Sequence, residues 1–380
     1  MSLRVLYITN EDRQIGGSSL SLETLLSCVG DAVEPVLLFR EAGPVLDHFA
    51  ALGYRCLVVP YYRASFQASG FVRVLRWVPH WLGRAVTQCR CVRRVRRELA
   101  GSVDLVHTNS STVDIGPRIA RALGVPHVWH IREYPDVGLG LRMFPSMEAW
   151  RRKLLSSDAV VAITPGLKDY LCLDKAVCIP DAVLPASAVT LLLPKAPEVL
   201  FLAGTLAPHK HPDEAIVLFA TAGLPEPYKL VLVGSIDKAY HLQLLDLAKA
   251  LGVENRIEFR PFTADVRPLL TRAAAVLVCT AFEGMGRVAV EALFYGCPVI
   301  ARNSGGSRDV LAPSVMPSEC RASSYGTLYD NEDEGAAALA AVVAAFPEAP
   351  VRAAADYAAR TFSTDTYGAR ILALYRSLLP

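Results

Sequence analysis

The sequence predicts an α/β protein made of two doubly wound parallel-sheet domains. Three observations predict it. Short apolar runs rich in β-branched residues alternate with helical stretches, the pattern of strands covered on both faces. The alternation pauses once, over residues 180–197, where Pro180, Pro185, Pro194 and Pro197 fall and no clear period holds. The 380 residues are 52% hydrophobic and 20% charged, which suits two domains of common size better than one core.

In the first half, strands are expected at 3–9, 35–39, 56–59, 103–106, 127–131 and 159–163, with helices at 18–28, 113–123 and 148–156. In the second, strands are expected at 199–203, 229–233, 256–259, 275–279 and 299–301, with helices near 212–222, 240–251, 264–273 and 287–295. The acidic run at 330–334 reads as a further helix start. Both halves open alike: a strand, a glycine-containing turn, then a helix. The expected division is a domain over 1–184, a linker over 185–197, a domain over 198–362, and a final segment, 363–380, whose helix returns to brace the first domain. In such folds ligands bind at the carboxyl ends of the strands, so a crevice between the domains is the expected site.

Several classes are disfavoured. No apolar run reaches the roughly 18 residues that span a bilayer, and residues 3–9 are too short for a signal-peptide core. The expected location is the cytoplasm. The nine cysteines are scattered without a C-x-x-C pair, and Cys28, Cys172, Cys279 and Cys297 lie in apolar runs, so they read as reduced core residues. Cys89 and Cys91 have the wrong spacing for a ligand pair. No G-x-G-x-x-G, P-loop, G-x-S-x-G or H-E-x-x-H occurs, which argues against dehydrogenase, ATPase, esterase and zinc protease. No Asp-x-Asp triplet is present, and neither metal nor cofactor is expected.

The chemistry concentrates at strand ends. After the strand at 275–279 comes Phe282-Glu283-Gly284-Met285-Gly286-Arg287, and a helix that carries Glu291. A glycine turn and a helix start offer free N–H groups to a phosphate. Glu291, one turn further in, can accept two hydrogen bonds from a ribose diol, and Glu283 in the turn can reach a sugar. After the strand at 199–203, Gly204-Thr205 leads through Lys210 to a helix opened by Pro212; a lysine there can sit against a pyrophosphate. After the first strand, Ile15-Gly16-Gly17-Ser18 permits close backbone approach. His130-Ile131-Arg132-Glu133 ends another strand, and His107 ends a third. Asn303-Ser304-Gly305-Gly306-Ser307-Arg308-Asp309 supplies a second glycine turn, read as shaping the crevice.

The Glu-x7-Glu spacing in its strand–turn–helix frame resembles the signature of family-4 retaining glycosyltransferases of the GT-B fold. The likeness is strongest from about 199 to 312 and weakest from about 40 to 100. It implies that Glu283 contacts the transferred sugar, Glu291 the ribose and Lys210 the diphosphate, with Gly16, Gly17, Gly204, Thr205, Gly284, Met285, Gly286 and Arg287 around the donor. It places His130 beside the sugar as a catalytic group with Glu283 and Lys210, and puts His107, Arg132 and Glu133 on the acceptor side. The sequence departs from the family in two places: Thr205 stands where an arginine is usual, and His211 where a glycine is usual. Arg287 or Arg308 is a candidate replacement for the missing cation. The implied reaction moves a hexose from a UDP- or GDP-sugar to a glycan or lipid-linked acceptor, in polysaccharide or glycolipid synthesis. Two rivals stand: a nucleotide-sugar epimerase of the same fold, and a non-catalytic protein that binds nucleotide sugar or glycan, which the absent arginine favours.

The net charge is +2, yet nine arginines and no acid lie between Arg63 and Arg97. Over residues 84–99, Arg90, Arg93, Arg94 and Arg97 share one helical face, and Val92, Val95 and Leu99 another. With Gly70, Phe71, Trp77, Pro79 and Trp81 upstream, the stretch Arg73 to Arg97 reads either as an anionic-membrane surface or as a solvated basic face. Nucleic acid is not expected, since no module for it is recognised.

Overall fold

The computed structural model describes residues 2–10, 16–67, 77–138, 140–193, 195–312 and 325–379. Ile15, Gly70, Phe71, Arg73, Arg76 and Pro194 lie outside the described residues, as do the side chains of Trp77, Pro79 and Trp81. The chain forms two compact units, Met1–Ala182 with Thr364–Pro380, and Val183–Ser363.

The first unit holds a seven-stranded sheet, in spatial order β3 (Arg55–Val58), β2 (Val33–Phe39), β1 (Leu3–Ile8), β5 (Leu105–Thr108), β6 (His127–Ile131), β8 (Ala159–Ala162) and β9 (Val177–Cys178). Every pairing is parallel, for example Val5 opposite Pro35 and Leu105. A short antiparallel ribbon, β4 (Ser65–Gln67) with β7 (Leu141–Met143), stands apart. Helix α1 (Gly17–Val29) buries Leu22, Leu25, Leu26 and Val29 on one face of the sheet. The final helix α14 (Thr364–Ser377) adds Tyr367, Ile371 and Tyr375 to the same core. It comes close because residue 368 is glycine: a Cβ there would stand 2.1 Å from the Cys28 carbonyl oxygen.

Helix α3 (Trp77–Leu99) explains the arginine-rich stretch. Cys91, Val95 and Leu99 are buried in the core on the sheet's other face, with Val92 packed against them. The apolar face is therefore consumed by the protein and is not available to enter a bilayer. Arg90, Arg93, Arg94 and Arg97 remain exposed, Arg94 bonding Glu98 at 2.8 Å. Arg84 instead turns inward to Asp114 at 2.6 Å.

The second unit holds a six-stranded parallel sheet in the order β12 (Ile257–Arg260), β11 (Lys229–Ile236), β10 (Ala196–Leu206), β13 (Ala273–Val278), β14 (Val299–Arg302), β15 (Thr327–Tyr329). Counted from its own first strand this is 3-2-1-4-5-6, with the reversal between β10 and β13. Its core joins Val199, Phe201, Leu230, Leu232, Ala275, Leu277 and Ile300 to Phe219 of α7 (Pro212–Thr221) and Leu244 of α8 (Lys238–Ala250).

Most strands lie where alternation placed them. Residues 185–197 belong to the second unit, Thr190 N–H bonding Phe294 O and Ala196 N–H bonding Arg272 O. The helix expected at 264–273 contracts to the single turn α9 (Arg267–Leu270), because 271–273 lead straight into β13. The acidic run opens α12 (Glu332–Ala344), with Asn331 Oδ1 accepting from Glu334 N–H at 3.0 Å. Cys91, Cys279 and Cys297 are buried as free thiols, but Cys172 is exposed, having passed the end of α6 (Pro165–Tyr170). No single helix among the described residues is long and apolar enough to cross a membrane; α12 and α13 (Glu348–Thr361) reach that length only as a pair bent by 107°.

Candidate functional site

In the second unit the expected residues gather at the strand reversal. The pairing of β10 with β11 slips between Leu202 and Thr205, a bulge that turns the strand end. Gly234 on β11 makes room for it, since a Cβ there would lie 2.4 Å from Ala203 O. Ser235 Oγ donates to Gly204 O at 2.8 Å and lies 3.1 Å from Thr205 Oγ1. The chain then makes one tight turn over Pro208–Lys210 and passes through His211 at φ +57° before Pro212 starts α7. Glycine, which the family resemblance leads one to expect at this place, adopts such a left-handed backbone without strain. The turn delivers Lys210, whose Nζ donates to Glu283 Oε1 at 2.5 Å.

Glu283 arrives from β13, the neighbouring strand. Its loop ends at Gly286, φ +80°, which caps α10 (Arg287–Phe294). The loop rests on the start of α11 (Gly305–Leu311), where Gly306 N–H donates to Glu283 O at 2.8 Å. Two glycines are needed there. A Cβ on Gly305 would stand 3.0 Å from Glu283 O, and one on Gly306 would stand 2.4 Å from Gly284 O and from Met285 Cα. Glu283 Oε2 and Ser307 Oγ both flank Gly286, each 3.4 Å from where its Cβ would be. Ser307 is fully buried, and its hydroxyl has no hydrogen-bond partner among the described residues.

Glu291 lies one turn along α10, its Oε1 3.9 Å from Arg287 Nη2. Burial pushes its carboxyl above the usual range, and Arg287 partly opposes this. Arg308 is exposed on α11, and Asp309 half-buried beside it. Burial and the neighbouring Lys210 hold His209 below the ordinary histidine range.

The first unit presents a different picture at its own strand reversal, between β1 and β5. Gly16, in an extended conformation, precedes α1, and Gly17 has open space where a side chain would be. Beside them Asn10 Nδ2 donates to Ser110 Oγ at 2.9 Å and to Thr112 Oγ1 at 3.1 Å, and Ser18 Oγ donates to Asn10 Oδ1 at 3.1 Å. Glu133, half-buried, accepts from Ser110 Oγ at 3.0 Å, Ser111 N–H at 3.1 Å and Ser111 Oγ at 2.8 Å. Burial raises its pKa, and these bonds only partly offset the shift.

His130 lies in the interior of the first unit. Expected beside a sugar, its ring is 0% exposed. Arg132 Nη2 donates to its Nδ1 at 3.2 Å, which leaves the proton on Nε2, 3.7 Å from Asp181 Oδ1. Arg132, itself buried, bonds Asp181 Oδ2 through Nε at 2.8 Å and also Asn109 Oδ1, while Tyr367 OH donates to Asp181 Oδ1 at 3.0 Å. His107, likewise 0% exposed, pairs its Nδ1 with Tyr375 OH at 2.8 Å. Burial holds both histidines well below the ordinary range, so both are neutral. Burial opposes the Asp181 charge, but Arg132 outweighs it and keeps the carboxyl below its usual value. His107, His130 and Arg132 therefore form an interior polar brace, and only Glu133 reaches toward the surface.

Two Rossmann-like units, each with its polar residues at a parallel-sheet reversal, define the GT-B class of transferase folds. The chain belongs to the family-4 glycosyltransferases: residues 187–359 match the glycosyl transferases group 1 family, and residues 40–174 match the glycosyl transferase 4-like domain. It is similar to the D-inositol 3-phosphate glycosyltransferase of Mycolicibacterium vanbaalenii, 34% identical over 180 residues, which are 43% of this chain and 37% of the relative. The enzyme of that name from Mycobacterium tuberculosis is 34% identical over 201 residues, 50% of this chain and 39% of the relative. The chain thus spans well under half the length of the curated relatives it matches. Among solved structures, Anabaena HepE in complex with UDP and glucose superimposes with TM-score 0.74 at 18% identity, covering 99% of this chain and 100% of that one. Sucrose-phosphate synthase from Thermosynechococcus elongatus does so with TM-score 0.70 at 17% identity, over 99% of each chain.

Proposed function

We propose that the chain is a retaining hexosyltransferase that takes its sugar from a nucleoside-diphosphate donor, UDP- or GDP-linked, and passes it to a hydroxyl of a glycan or lipid-linked acceptor in surface polysaccharide or glycolipid synthesis. The observation that carries the reading is the convergence of Lys210, Glu283 and the Gly286-capped start of α10 at one sheet reversal, with Glu291 a turn beyond. In this reading Glu291 binds the ribose diol. Lys210 and the turn amides take the diphosphate, stabilising the charge that grows on it as it leaves. Glu283 accepts from sugar hydroxyls. The acceptor oxygen bonds the anomeric carbon as the bond from that carbon to phosphate oxygen breaks. The diphosphate departs with the electron pair and takes the acceptor's proton, on the face where the new bond forms.

No metal enters the scheme, the cationic side chain and helix start supplying the charge. HepE's complex with UDP-glucose and the inositol-phosphate acceptor named for the curated relatives are properties of those proteins and guide the choice of probes. The exposed basic face of α3 suits a lipid-linked acceptor through charge alone. Flotation on anionic vesicles tests that part.

The test of the reaction is incubation with UDP-glucose or GDP-mannose and an acceptor panel, with and without chelator. A transferred hexose of unchanged anomeric configuration, formed equally with chelator, is expected. An inverted product refutes the mechanism, loss of turnover with chelator refutes metal independence, and a changed free sugar nucleotide without acceptor selects the epimerase.

A further inference from the structure

We infer that Glu283 is a specificity determinant which makes the site prefer the sugar nucleotide over the bare diphosphate, by competing with the product for Lys210. The inference rests on the donor-site reading above and adds a role for the ion pair inside it.

Lys210 Nζ and Glu283 Oε1 are 2.5 Å apart, with side chains 31% and 18% exposed, so solvent screens the pair only in part. The cations nearby among the described residues have partners of their own. Position 205 is threonine, hydrogen-bonded to Ser235 rather than carrying charge. Arg302 Nη2 is bound to Glu214 Oε2 at 2.5 Å, and that carboxylate also accepts from Tyr329 OH at 2.7 Å. Arg287 stands by Glu291. Among the described residues the ammonium placed on Glu283 is that of Lys210.

A diphosphate on Lys210 must therefore share the ammonium with a carboxylate, or displace it. The two anions differ in how hard they meet that carboxylate. In a sugar nucleotide the terminal phosphate is esterified and one negative charge lighter, and the sugar brings hydroxyls that donate to Glu283. In the product the ester is gone, the extra charge faces Glu283, and no hydroxyl compensates. One carboxylate would then hold the donor and help expel the product. Like charges a few ångströms apart at a half-buried site make this worth about tenfold in affinity.

Titration calorimetry with UDP, UDP-glucose, GDP and GDP-mannose on wild type, Glu283→Gln and Glu283→Gln/Lys210→Met tests it. Glu283→Gln is expected to bind the matching diphosphate about tenfold more tightly than wild type, with less or no gain for the sugar nucleotide. The gain should shrink as salt rises and vanish in the double variant. An unchanged or weaker diphosphate affinity, or an equal gain for both ligands, overturns the inference while leaving the donor site standing. Failure of wild type to bind any of the four ligands overturns the donor-site reading and this inference together.

Discussion

At the scale of single residues, the second unit buries an acid at a cost. Glu291 is a carboxylate in a buried place, with Arg287 too far off for a tight pair. An acid whose folded pKa is raised stabilises the fold below its unfolded pKa, and that contribution is lost as pH rises through the raised value. At neutral pH its charge is therefore a burden. Glu291→Gln should melt at a higher temperature than wild type at pH 7, with the difference closing toward pH 4, while nucleotide binding is lost. A lower melting point at pH 7 would mean that the carboxylate has a structural partner. His211 makes the complementary case. Its φ of +57° costs a side chain roughly 1 kcal/mol, so His211→Gly should stabilise the unit by about that amount in denaturant melts. Glu283, Glu291 and Lys210 stand out in the sequence because each follows a strand end, and the structure joins Lys210 to Glu283. Ser307 was passed over as part of a crevice-shaping turn. Asp181 and Tyr367 were invisible, since their hydrogen bond joins positions 186 residues apart.

At the scale of elements, the decisive contact is between the loop before α10 and the glycine start of α11. Gly306→Ala would drive a Cβ to 2.4 Å from Gly284 O. That should cost about 1–3 kcal/mol in unfolding experiments and weaken diphosphate binding, because the displaced segment is the one that holds Glu283. A variant that folds with normal stability and binds normally would show that this support is dispensable. The glycine pair was readable as a turn, but its function as a seat for another loop needs the third dimension. Helix α3 teaches the same lesson in reverse. Its amphipathic wheel was correct, yet periodicity alone does not say whether the partner of an apolar face is a bilayer or the protein's own sheet. Here Cys91, Val95 and Leu99 answer by packing inward.

At the scale of the whole molecule, the chain leaves its first unit after Ala182 and returns at Thr364. Next to the first crossing Asp181 is bound by Arg132, and next to the second Tyr367 closes on that same carboxylate. Within the second unit the two ends run side by side, Val183 N–H bonding Phe362 O at 2.9 Å. The doubly wound architecture was readable from alternation. Ending the chain after Ser363 would strip Tyr367, Ile371 and Tyr375 from the first core. At about 2–5 kcal/mol for each large buried side chain, that exceeds the margin of an ordinary domain. Calorimetry should show the first unit's cooperative transition abolished and the second unit's retained. The central claim, a nucleotide-sugar donor site on the second unit, is tested most directly by titrating UDP, GDP, ADP, CDP and TDP into wild type and Glu291→Ala. The account predicts that one diphosphate binds and that the substitution removes the binding. Absence of binding by every diphosphate, or binding that survives in Glu291→Ala, would contradict it.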